Sequence, residues 1–116
     1  MKQVHIGTFQ LGHANVDLIA MHGESGGEFY LCPDDSRPPR IKVGTAYQSW
    51  DQCVSVLLHE SIEMALCLKD LRFQHSGKLN SDHADYLFVF NHCQFGDICS
   101  EVAIFITQAL PKLASE

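Results

Sequence analysis

The hydrophobic period of this chain changes once, near Thr45, and that change limits the folds open to it. Before it, β-branched and aromatic residues recur at strand-like intervals in 3–11 (QVHIGTFQL), 16–21 (VDLIAM) and 28–32 (EFYLC), with Gly23–Gly27 read as a hairpin connection. Residues 33–39 (PDDSRPP) read as a loop, because prolines donate nothing to a ladder and Asp and Ser favour turns. Residues 40–44 (RIKVG) then give a short alternating strand with Ile41 and Val43 on one face, whose lysine and flanking prolines suit a sheet edge.

After Thr45 the period is 3.6. Ser49-x-x-Gln52 has the form of a capping box, and Trp50, Val54, Leu57, Leu58, Ile62, Ala65 and Leu66 predict a long helix over 48–70. Residues 74–85 are polar and contain Gly77, which predicts a loop. Residues 86–90 (YLFVF) read as a buried strand or an extended lead-in to a helix. Asn91-x-x-Gln94 is a second cap, and Phe95, Ile98, Val102, Phe105, Ile106 and Ala109 predict a closing helix over 94–110 that ends near Pro111. The order, a β-rich 1–44 followed by helices, predicts an α+β fold with a small, mainly antiparallel sheet packed against two main helices.

A chain of 116 residues suits a single domain, which buries roughly 60–70% of its unfolded surface and forms a core without disulfides or a structural metal. Eight Lys and Arg against 14 Asp and Glu leave a net charge of −6, too few cations to track a phosphate backbone, so no nucleic-acid partner is expected. No stretch approaches about 18 uninterrupted apolar residues, so no membrane span is expected. The segment MKQVHIGTFQLG lacks the apolar run of a signal peptide. The five cysteines are odd in number with no C-x-x-C pair, and a reducing, cytoplasmic setting is the expectation.

Histidine is the outlier in the composition, with seven copies. One of them lies in 54–66, VSVLLHESIEMAL, as His59-Glu60-x-x-Glu63. Four helical residues of about 100° each leave His59 and Glu63 about 40° apart on one face, a spacing at which an imidazole and a carboxylate can hold one cation. Glu60 lies beside that face, where a carboxylate can take a proton from water activated by the metal. The pattern is H-E-x-x-H with glutamate in place of the second histidine. The competing reading is a solvated helix face or an internally paired core. Against it stand the apolar residues on both sides of the motif, among which charged groups need partners.

A catalytic zinc needs a third protein ligand and an open position. Downstream candidates are His75, His83, His92, Cys93, Asp97 and Glu101. His92 is the first choice, at the start of the last helix, and His83 the second, at the end of the loop. For either, a hydrogen-bonded histidine without metal is the alternative, and Cys93 and Cys99 read as small buried hydrophobes. Two histidines with one carboxylate suit zinc, and also iron or another divalent metal. Gly23-Glu24-Ser25-Gly26-Gly27 matches G-x-S-x-G, but a strand rather than a helix follows it, which argues against a serine hydrolase. Cys93 lacks the resolving cysteine that a redox role needs.

The HESIE helix and the block YLFVFNHCQFGDICSEVAIFITQAL over 86–110 resemble small phage and prophage proteins regarded as minimal zincin-like metallopeptidases. Leu57-Leu58-His59-Glu60, Glu63, Leu87-Phe88-Val89, His92, Phe95 and Leu110-Pro111-Lys112-Leu113 carry the resemblance, which spans about 45–113. It departs where Met64 precedes Ala65, and the first 40 residues contribute nothing to it. The resemblance implies a zincin-like architecture, a metal held by His59, Glu63 and His92, and water attacking a peptide bond with Glu60 as base. It also implies that an extended protein or peptide adds to the sheet edge above the motif helix, an edge expected at Arg40–Gly44. A non-catalytic metal-binding or protein-interaction domain of phage or prophage origin is the alternative.

Overall fold

The computed structural model describes residues 2–31, 36–46, 49–74 and 86–116. Its elements run β1 (Lys2–Leu11), β2 (Ala14–His22), β3 (Gly27–Tyr30), β4 (Arg40–Gly44), α1 (Trp50–Leu68), β5 (Arg72–Gln74), β6 (Tyr86–Phe88) and α2 (His92–Ala114). The α+β arrangement expected from the sequence is present. Strands β1 to β4 form one sheet in the order β1-β2-β4-β3, while β5 and β6 pair separately. The ladders β1–β2 and β3–β4 are antiparallel, and β2–β4 is parallel.

This order corrects two expectations. Segment 23–26 is not a hairpin between neighbours, because β4 inserts between β2 and β3. Four residues of at most about 3.5 Å each are long enough to cross the roughly 10 Å that separate strands two places apart. The crossing segment is tied to the end of β4 by Gly44 N–H donating to the Gly26 carbonyl at 2.8 Å and Ala46 N–H to the Glu24 carbonyl at 2.8 Å. Gly44 has to be glycine, since a Cβ there would run into the backbone of Glu24 and Ser25.

The second correction concerns the edge. Arg40–Gly44 is interior, and the edge next to it is β3. Pro38 and Pro39 precede β4 rather than interrupt it, and the Pro39 carbonyl accepts from Asp17 N–H at 2.9 Å. Ile41 and Val43 are fully buried. The two cations of β4 lie over the Tyr30 ring of β3, Arg40 at 4.3 Å and Lys42 at 5.5 Å from its centroid, so charge on this strand reflects stacking rather than edge protection.

Helix α1 packs on β3 and β4, α2 packs on β1, and the helices touch each other. One core joins Leu11, Val16, Leu18, Ile41 and Val43 of the sheet with Leu57 and Met64 of α1 and Phe105 and Ala109 of α2. Phe9 meets Phe105 edge to face with centroids 6.1 Å apart. The α2 cap is a complete capping box: Gln94 N–H donates to Asn91 Oδ1 at 2.9 Å, and Asn91 N–H to Gln94 Oε1 at 2.8 Å. Ser49 is the α1 N-cap residue but makes no side-chain cap bond. Helix α2 runs one turn past its expected stop and carries Pro111 inside it. The buried Leu113 packs that extra turn onto the core.

Candidate metal pair and apolar groove

The buried face of α1 is Cys53, Leu57, Glu60, Ser61 and Met64, a spacing of three and four that belongs to one helix side. Glu60 therefore points to the sheet side and is only 8% exposed. A Cβ on Gly27 would stand 3.0 Å from Glu60 Cγ and 2.7 Å from Val56 Cγ1, so this glycine lets the edge strand β3 come down onto the motif helix. One residue earlier, about 100° around the helix, His59 is open to solvent, with a side chain 69% exposed.

Glu63 lies between these environments, 17% exposed. Its Oε1 is 3.2 Å from His59 Nε2. Two ligands at about 2.0–2.1 Å from a tetrahedral ion stand a little over 3 Å apart, so this separation fits a shared cation as well as a direct hydrogen bond. The other oxygen, Oε2, accepts from Arg72 Nη1 at 2.6 Å. Arg72 also lies over two rings, Tyr86 at 3.9 Å and Phe29 at 5.5 Å from the centroids.

The expected third donor does not join this pair. His92 is the first residue of α2 and is exposed, while His75 and His83 lie outside the described residues. Among the described residues no three His, Cys, Asp or Glu side chains gather into a group that would hold a metal ion. Glu101 is engaged elsewhere, its Oε2 2.7 Å from Lys69 Nζ. Cys93 and Cys99 are exposed rather than buried, which corrects their reading as small core residues. The donor set fits a metal at two positions, His59 and Glu63.

Beside the pair lies an apolar groove. It has a volume of about 350 Å³ and an almost wholly apolar lining, with Leu58 and Ile62 from α1, Phe95, Cys99 and Ile106 from α2, and Phe90 between the helices. Phe90 and Phe95 stack there, centroids 5.9 Å apart. The run 86–90, read as a buried strand or an extended lead-in, is a strand over 86–88 followed by a short lead-in to α2, and it is mostly open: Val89 is 53% exposed and Phe90 43%. Among the described residues strand β6 pairs with the three-residue β5 alone.

Two further histidine contacts lie on the sheet side. His5 Nε2 is 3.4 Å from Asp17 Oδ1 across the β1–β2 ladder, and His22 Nδ1 is 2.9 Å from Thr45 Oγ1. Neither was visible in the spacing of the sequence, because cross-strand register creates them. Compared with known proteins, the chain matches no family model, no curated protein and no solved structure.

Proposed function

We propose that this chain is a metal-dependent, peptidase-like hydrolase of the zincin-like kind, in which His59 and Glu63 hold a divalent ion. The observation that carries the reading is the His59–Glu63 pair, 3.2 Å apart on the helix that lies against the sheet edge. A bound zinc supplies Lewis acidity toward a carbonyl and lowers the pKa of water.

The remaining steps belong to the chain. Glu60, next to the donor pair and under β3, accepts the proton of the attacking water on its carboxylate and returns it to the leaving amine. Among the described residues strand β3 is the last strand of its sheet, the position at which an extended peptide adds to a sheet. Glu60→Gln separates chemistry from binding, because the amide cannot take the proton. The expected result is retained metal with loss of at least about 100-fold in peptide hydrolysis. Hydrolysis at the wild-type rate in Glu60→Gln would contradict the role.

A second reading is favoured by the apolar groove between α1 and α2: a protein-interaction domain in which the metal pair, if kept, serves no turnover. It predicts that Glu60→Gln leaves partner binding unchanged and that no peptide is cleaved by the wild type.

A further inference from the structure

The Glu63 carboxylate divides its two oxygens between different partners. Arg72 delivers one N–H to Oε2 at 2.6 Å, and Oε1 is left facing His59 Nε2 at 3.2 Å. An arginine that served only to neutralise a helix carboxylate would be expected to use its fork and take both oxygens, the frequent bidentate arrangement. Here the guanidinium takes one and leaves the other.

The arginine is itself fixed. Its Cζ lies 3.9 Å from the Tyr86 centroid of β6 and 5.5 Å from that of Phe29 on β3, while its side chain is 24% exposed. It starts from β5, beyond the end of α1, and reaches back nine residues to the last third of the helix. Such a contact is not the automatic product of helix periodicity, which brings together residues three or four apart. The strand, the turn after α1 and the pairing of β5 with β6 all hold it there; Leu71 N–H donates to the Leu66 carbonyl at 2.9 Å and Val89 N–H to the Leu71 carbonyl at 3.1 Å.

We propose that Arg72 is a positioning residue for the metal pair: by holding Oε2 it fixes the Glu63 carboxylate with Oε1 turned toward His59, so that both donors are arranged before the ion arrives. The proposal rests on the metal-binding reading of His59 and Glu63. Partners that orient ligating carboxylates usually carry 10- to 100-fold in metal affinity. Lysine carries the charge without the planar fork and without stacking on the Tyr86 ring, so it replaces this arginine only in part.

The test is zinc affinity, measured by competition with a chromophoric chelator on the purified full chain, for wild type, Arg72→Met and Arg72→Lys, with thermal unfolding of each metal-free protein alongside. Arg72→Met is expected to bind zinc about 10- to 100-fold more weakly and Arg72→Lys to recover part of the loss, while both metal-free proteins still unfold cooperatively. Wild-type or tighter zinc binding by Arg72→Met overturns the proposal while leaving the metal site intact. Should Arg72→Met fail to fold, Arg72→Lys decides: weaker binding supports the role, and wild-type affinity overturns it. A wild-type protein that binds no zinc overturns the metal-binding reading itself, and the positioning role with it.

Discussion

Helix α2 passes through two environments. Its second half buries Phe105 and Ala109 completely and leaves Leu113 3% exposed, whereas in its first half Phe95 is 51% exposed beside Leu58 and Ile62 of α1. The apolar stripe is continuous; what changes is the partner. Phe105, Ala109 and Leu113 lie in the core shared with the sheet, as do Ile98 and Val102 on the inner side of the first half, while Phe95 lies in the groove beside α1. An amphipathic pattern records which positions are apolar, not which are covered, and uncovered area forfeits the roughly 25 cal/mol per Å² that burial returns. The candidate pair stands on the same boundary in α1: Glu60 on the covered side, His59 on the open side, Glu63 between.

The largest expected effect lies in the covered half. Phe105→Ala removes a fully buried ring and is expected to cost about 3–5 kcal/mol in urea unfolding; a cost under about 1 kcal/mol would mean that the two halves are equally open. At the start of the open half, Asn91→Ala breaks the capping box and is expected to cost about 1 kcal/mol by the same measurement. In the open half, Phe95→Ser is expected to change stability by less than about 0.5 kcal/mol, and a loss approaching that of Phe105→Ala would show the groove to be covered.

Thiol chemistry sharpens the contrast without altering the fold. Burial pushes the thiols of Cys53 and Cys67 up and so lowers the thiolate they hold at a given pH, whereas Cys93 and Cys99 are open to a reagent. Alkylation followed by mass mapping is expected to mark Cys93 and Cys99 first and to reach Cys53 and Cys67 only at higher pH. Equal rates at all four positions would break the comparison.

The strands β1 and β2, the helix α1 and the α2 cap were legible because each depends on local spacing: alternation, a 3.6 period, and Asn91-x-x-Gln94. The strand order was not. Arg40–Gly44 carries the lysine and nearby prolines of an edge, yet lies inside the sheet, because its cations stack on Tyr30 and its prolines fall before the first ladder pair. Pro111 read as a stop, but burial of Leu113 carries the helix beyond it. At the candidate site, the His59–Glu63 spacing was readable and Arg72 was not, since a contact nine residues away depends on where β5 lies after the helix ends. His92 was placed by sequence at the start of the last helix, where it stands, but its distance from the pair is a matter of tertiary packing.

The central claim is that His59 and Glu63 form a cation-binding pair. Elemental analysis of protein purified without chelators tests it directly, on wild type and on the double variant His59→Ala/Glu63→Ala. The account predicts about one divalent transition metal per wild-type chain and its loss from the variant. Wild-type protein free of metal, or a double variant that keeps the full equivalent, would contradict it.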